Sequence, residues 1–302
     1  MQTSSLSLSL SLSLPRALPR AFPLALPIGF VFASALLACG PATNVVPDDA
    51  AKATESKDDG TCANPKDCYN KAAAALQAKD NAKAMPYLPG ACDHDPKACV
   101  IAGEILSQGK GLPTDLPKAA DFFKRGCDGG LLVACANEAT MRYSGEGGVT
   151  VDKDRARKLF EKTCGPEMLD NCHNAGTMLY GGEGGPEDKA KARSLFEMAC
   201  GGAYLPSCVS GGAMLLSGLG GPEDKAKAAT MFEKACDGKN ADGCFNLGVV
   251  YGSGNGVTKD LTRAQALLQK GCEMGNKKSC ETLDKLKADL EKAAAPKPKG
   301  KK

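Results

Sequence analysis

The chain has 302 residues, of which 24% are charged, and 38 Lys and Arg against 35 Asp and Glu leave a formal net charge of only +3. So even a balance excludes the strong basic field of a charge-driven nucleic-acid binder. Two histidines and no tryptophan accompany fifteen cysteines, so the chemistry of the chain turns on sulfur: metal ligands in a reducing compartment, disulfides in an oxidising one.

The N-terminus argues for the second. A Ser-Leu alternation is followed by Arg16, Arg20 and an apolar run that ends in small residues before Cys39. Positive residues, an apolar stretch and small residues before a cysteine describe an export signal. Leu36-Leu37-Ala38-Cys39 resembles the bacterial lipobox, which implies that residues 1–38 are a lipoprotein signal peptide and that Cys39 is lipidated. Pro23 and Pro27 make the apolar run a poor spanning helix. Removal of Arg16 and Arg20 with this segment leaves a net charge of about +1.

Residues 39–61 are small and polar with no helical apolar stripe, and read as a flexible tether with an end-to-end distance of roughly 25 Å. The stretch 62–292 is a repeat array. Its first unit, 62–97, is expected to supply two short helices broken at Asp80-Asn81 and lacks the Gly-rich loop of later units, as terminal repeats often do. Units of about 36 residues follow at 98–133, 134–170, 171–206, 207–242 and 243–278, with one extra residue in the second. A half unit closes the array as a helix, and the basic, Pro- and Gly-broken residues 293–302 form a tail.

Alignment of the units on their cysteines exposes the packing code. Eight residues before the first cysteine stand Ala119, Ala156, Ala192, Ala228 and Ala264, and four before it Phe123, Phe160, Phe196, Phe232 and Leu268. Positions i, i+4 and i+8 share a helical face, so this face is a core face. Four residues after the second cysteine come Gly103, Ala139, Gly176, Gly212 and Gly248, a column that predicts a neighbouring helix crossing closely there. A Gly-rich loop follows, and then Asp152, Asp154, Glu187, Asp188, Glu223, Asp224 and Asp260 suit the N-terminal dipole of the next helix. Each unit is therefore helix, Gly loop, helix, short turn, and the fold class is all-α, an α-solenoid of about six stacked helix pairs.

Fifteen cysteines less Cys39 leave fourteen, which the repeat sorts into seven neighbours: Cys62-Cys68, Cys92-Cys99, Cys127-Cys135, Cys164-Cys172, Cys200-Cys208, Cys236-Cys244 and Cys272-Cys280. An export signal with an even remainder supports disulfides across the helical turns. The competing zinc reading lacks C-x₂-C spacings and histidines. In the chain-entropy account each bridge of this size contributes about 2.5 kcal/mol.

The pattern A-x₂-LG-x₂-Y-x₂-G-x-G-V, then D-x₃-A and KGC, runs from Ala241 to Cys272 through Leu247-Gly248, Tyr251, Gly254, Gly256-Val257, Asp260 and Ala264. It resembles the Sel-one-like repeat (SLR) family, and the C-x₇-C staple narrows the likeness to its cysteine-rich bacterial members. Arg142 departs from the pattern, standing where an apolar or aromatic residue is usual. The resemblance implies an interaction scaffold for a protein or peptide partner or a cell-wall-related ligand, in an exported, membrane-anchored lipoprotein. It also carries an alternative, since some cysteine-rich members are described as weak β-lactamases or penicillin-binding proteins.

The residues themselves give that alternative little. Ser107-Gln108-Gly109-Lys110 is the S-x-x-K match of the body, but it falls in a Gly loop with no S-D-N or K-T-G beside it. His94 and His173 sit in different units without metal-ligand spacing, and His173 is expected to be a partly exposed surface residue. No catalytic, cofactor or metal residue is therefore assigned, and no cofactor is expected. Exposed aromatics would mark a binding face, and Tyr69, Tyr87, Tyr143, Tyr180 and Tyr204 are the candidates, with helical packing as their competing role.

Overall fold

The computed structural model describes residues 60–294, which fold into fourteen α-helices, one 3-10 turn and no strand. The signal and lipidation readings on residues 1–38 and Cys39, the tether reading up to residue 59, and all but the first two residues of the 293–302 tail lie outside the described residues. The helices group into two compact units, which meet in sequence between Thr163 and Cys164.

In the first unit α1 (Pro65–Gln77), α2 (Asn81–Ala84) and α3 (Leu88–His94) precede α4 (Pro96–Gln108), α5 (Leu116–Asp128), α6 (Leu132–Ser144) and α7 (Lys153–Thr163). The terminal repeat thus holds three helical pieces rather than the expected two. Asp80 caps α2 through Lys83 N–H, and a second break precedes Leu88, where Pro89 sits in the first turn of α3. The second unit runs α8 (Leu169–Gly181), α9 (Lys189–Gly201), α10 (Leu205–Ser217), α11 (Lys225–Asp237), α12 (Ala241–Ser253), α13 (Leu261–Glu273) and the closing α14 (Lys277–Ala294). Within each unit successive helices pack as antiparallel neighbours in solenoid fashion.

Local sequence sets both ends of these helices. Asp115, Asp188, Asp224 and Asp260 are N-caps whose carboxylates accept from the N–H of Lys118, Lys191, Lys227 and Arg263, at 2.9–3.1 Å. The acidic column is thus more than a dipole partner, because it satisfies a backbone donor the helix itself leaves open. At the other end Gly182 and Gly218, both with φ of 66°, stop α8 and α10 in the left-handed region. The extra residue of unit 134–170 is absorbed in its Gly loop as the 3-10 turn Glu146–Gly148, against α5.

Disulfides tie each short corner. The structure joins Cys62–Cys68, Cys92–Cys99, Cys127–Cys135, Cys164–Cys172, Cys200–Cys208, Cys236–Cys244 and Cys272–Cys280, with Cα separations of 4.4–5.1 Å. In most repeats the first sulfur lies in the last turn of one helix and the second in the first turn of the next. The bridge therefore fixes the angle between the helices at its own corner.

The columns meet across the other connection of each repeat, between helices joined by a Gly-rich loop. The alanine column is fully buried, and Phe123, Phe160, Phe196, Phe232 and Leu268 are no more than 2% exposed. Four of these large side chains lie on a glycine of the preceding helix. A Cβ on Gly103, Gly176, Gly212 or Gly248 would stand 2.7, 2.8, 2.7 or 2.9 Å from Phe123, Phe196, Phe232 or Leu268. Cations link one repeat to the next along the edge: Lys234 Nζ donates to the carbonyls of Cys200 and Gly201 at 2.6 and 2.9 Å, and Arg263 pairs with Glu233 at 2.7 Å. The Lys234 bonds occupy carbonyls at the open end of α9. The exposed ion pair adds less.

The glycine column gives opposed expectations for one substitution. Helix propensity alone makes Gly212→Ala stabilising by about 1 kcal/mol. The close contact with Phe232 makes it destabilising by about 1–3 kcal/mol through overpacking. Chemical denaturation is expected to show the loss; a gain in stability contradicts the crossing.

Candidate functional site

The helices that follow each staple present one register to the side of the packed core. Two residues after the second cysteine stand Asn174 in α8, Ser210 in α10 and Asn246 in α12. None of these side chains makes a hydrogen bond among the described residues. Asn174 is 8% exposed, while Ser210 and Asn246 are half-buried. An amide or hydroxyl repeated at one register without a protein partner is a set of donors and acceptors open to solvent or to a ligand. Asn137 occupies the same register in α6, and its buried Nδ2 also lacks a partner. The neighbouring column of the same helices is small: Thr177, Ala213 and Val249. This stripe was not singled out from sequence, where the search was for aromatic and Arg residues. Its signal was available in the cysteine alignment.

His173 keeps some exposure, as expected, but it is not a free surface residue. Its Nδ1 lies 2.9 Å from the hydroxyl of the fully buried Ser207, and its ring meets Phe196 and Tyr204 at centroid distances of 5.3 Å. Burial holds its pKa down, at about 4. The imidazole is therefore neutral at pH 7 and acts as a wedge joining α8, α9 and the start of α10. His94 is exposed and meets Tyr69 edge-on at 5.6 Å. Among the described residues no three His, Cys, Asp or Glu side chains group as a metal site.

The structure accounts for Arg142 through a residue the sequence reading passed over. Glu138 is fully buried in α6, in a column held elsewhere by Ala102, Ala175, Gly211 and Leu247. Arg155 from α7 grips its carboxylate with two bonds of 2.5 and 3.0 Å, and Arg142 Nε lies 3.8 Å away. Arg155 also reaches Asp128, and Arg142 reaches Asp121. A charge buried this deeply is tolerated because its partner is bidentate. The departure from the apolar pattern is thus one ion cluster, with two arginines answering one glutamate.

Ser107 and Lys110 do not form a catalytic pair. Ser107 lies in the last turn of α4, and its hydroxyl donates to the Glu104 carbonyl at 3.2 Å. The helix ends at Gln108, and Gly109, at φ 65°, turns the chain before Lys110. The S-x-x-K chemistry needs the lysine one turn further along the same helix. All fourteen cysteines of the described chain are bridged, and Cys39 lies outside the described residues. Of the tyrosines, Tyr87 is buried core, Tyr204 packs on His173, and Tyr143 and Tyr180 lie beneath Lys153 and Lys189, at 5.4 and 5.9 Å. No run of free aromatics emerges.

The depressed His173 value makes stability depend on pH in a stated direction. The unfolded imidazole takes up its proton near pH 6.5, while the folded one resists until about 4. Stability is therefore fully present above 6.5 and is lost as pH falls toward 4, by on the order of 2 kcal/mol after allowance for partial exposure. Thermal melts at pH 7 and pH 4.5 are expected to differ more for the wild type than for His173→Gln. Equal differences contradict the wedge.

The repeated helix pairs agree with what comparison with known proteins finds. The Sel1 repeat model matches residues 96–131, 133–164, 172–202, 211–240 and 241–276. The crystal structure of a protective antigen of uropathogenic Escherichia coli, described as displaying an SLR fold, superposes with a TM-score of 0.63 at 26% identity. That alignment covers 77% of this chain and 50% of the antigen, so this chain spans about half the antigen's length. A Sel1 repeat protein of Oxalobacter formigenes gives a TM-score of 0.58 at 18% identity over 78% of this chain and 99% of its own, a likeness of fold alone. Cysteine-rich protein B of Helicobacter pylori is 26% identical over 46% of this chain and 100% of its own, with a TM-score of 0.37. No curated protein matches the sequence. With family-model matches across more than half its length, the chain belongs to the Sel1 repeat family.

Proposed function

We propose that the protein is exported, anchored to a bacterial membrane through lipidated Cys39, and serves in the cell envelope as a scaffold for a protein or peptide partner. The observation that carries the scaffold reading is the stripe of Asn174, Ser210 and Asn246. Amides and hydroxyls repeated at one register offer donors and acceptors to the main chain of an extended segment, whatever its side chains. Sel1 repeats generally mediate protein–protein interaction, in keeping with this use. Seven disulfides suit an oxidising, extracytoplasmic compartment. Among the described residues no helix is long and apolar enough to cross a membrane, and the anchoring reading rests on the lipobox-like Leu36-Leu37-Ala38-Cys39. The tether of residues 40–61 gives the body a reach of roughly 25 Å from the lipid.

Two measurements test the reading separately. Replacement of Cys39 by Ser is expected to move the protein from the membrane fraction to the soluble envelope fraction; unchanged fractionation contradicts lipidation. In envelope crosslinking, the triple variant Asn174→Ala, Ser210→Ala, Asn246→Ala is expected to lose the partner that the wild type captures while keeping its helical circular dichroism. A partner captured equally by both contradicts the role of this face.

A further inference from the structure

Apart from the Asn and Ser register, the repeat 98–133 holds a charged side chain that its fold does not explain. In α4, Glu104 stands five residues after Cys99, in a column occupied in later repeats by Thr140, Thr177, Ala213 and Val249. The side chain is half-buried, and its carboxylate meets no hydrogen-bond donor among the described residues. Burial raises its pKa, and the charge of Lys110 only partly offsets this. A carboxylate placed in this way has given up water without receiving a full replacement.

An open surface pocket lies beside it. α2 is a single turn, and next to it a cavity of about 290 Å³ is lined by Leu76, Lys79, Asn81, Ile101, Glu104, Ile105 and Lys110. That volume falls just below the roughly 300–1,000 Å³ of sites that take drug-sized ligands. Ile101, Glu104 and Ile105 share one face of α4 by their i, i+3, i+4 spacing. The carboxylate is therefore flanked by apolar surface, with Leu76 adding to it from α1. Asn81 Nδ2 donates to the Lys110 carbonyl at 3.1 Å and so ties the turn after α4 to the start of α2. Lys79 holds the left-handed turn after α1, at φ 59°. The cavity thus offers one anion, two cations and an aliphatic wall, all contributed by residues 76–110.

We propose that this cavity binds an apolar residue bearing a free α-ammonium group: the ammonium meets Glu104, the aliphatic side chain lies on Leu76, Ile101 and Ile105, and Lys79 receives the carboxylate or carbonyl. Two sources share this chemistry, a free amino acid and the N-terminal residue of a peptide. The inference does not depend on the stripe of Asn174, Ser210 and Asn246, and loss of partner capture there leaves it standing.

The test is a heteronuclear NMR titration of the purified protein with leucinamide, N-acetyl-leucinamide, leucine and the dipeptide Leu-Gly. Leucinamide is expected to shift amides between residues 76 and 110 with a Kd on the order of 1 mM, and N-acetyl-leucinamide, which lacks the ammonium, is not. Glu104→Gln is expected to weaken leucinamide binding by about tenfold or more with unchanged circular dichroism. Tighter binding of leucine than of Leu-Gly assigns the site to a free amino acid, and the reverse assigns it to a peptide N-terminus. Absence of shifts, equal binding of the acetylated amide, or equal binding by Glu104→Gln overturns the proposal.

Discussion

The rest of the structure depends on one contact, a large apolar side chain laid on a glycine of the preceding helix. Phe232 on Gly212 is the type example, and the approach is close enough to leave no room for a methyl group. A ring buried in this way contributes several kcal/mol, but only if the two helices meet at the right angle. That pair is joined by a Gly loop, and the disulfides Cys200–Cys208 and Cys236–Cys244 close the corners on either side of it. Apolar burial supplies the energy of the stack, and the covalent corner limits the arrangements over which that energy must compete.

This division of labour explains the composition. The helices on one side of each corner are charged and Ala-rich, with a narrow apolar stripe, and a chain built only of such helices has a thin core. Small cores are commonly supplemented by disulfides outside the cytosol. Here the supplement is repeated once per corner and not concentrated at a single point, as suits an architecture in which each repeat packs only on its neighbours. The edge contacts of Lys234 and Arg263 follow the same one-repeat spacing. One charged cluster interrupts the apolar pattern, and it centres on Glu138.

Most of the fold was legible because it is written in columns. Ala228, Phe232 and Gly212 recur in aligned positions, and column identity is a direct readout of a repeated contact. What was not legible depended on partners distant in sequence. Glu138 is conspicuous in its column, yet nothing local shows that Arg155, on the next helix, answers it. The second break in the terminal repeat, before Leu88, was missed because the reading placed a single interruption at Asp80-Asn81. The unspent amides of Asn174 and Asn246 were visible as letters, but the absence of a hydrogen-bond partner is a property of the folded chain. The wedge made by His173 likewise required Ser207, thirty-four residues away, to be brought against it.

The central claim is that every corner is closed by its own neighbouring pair of cysteines. Non-reducing peptide mapping of the protein isolated from its native host, with thiols alkylated at lysis, tests it most directly. The account predicts seven nearest-neighbour bridges, from Cys62–Cys68 to Cys272–Cys280, and an intact mass about 14 Da below that of the fully reduced chain, at roughly 2 Da per bridge. Alkylated cysteines within residues 62–280, or a bridge joining cysteines of different corners, would contradict it.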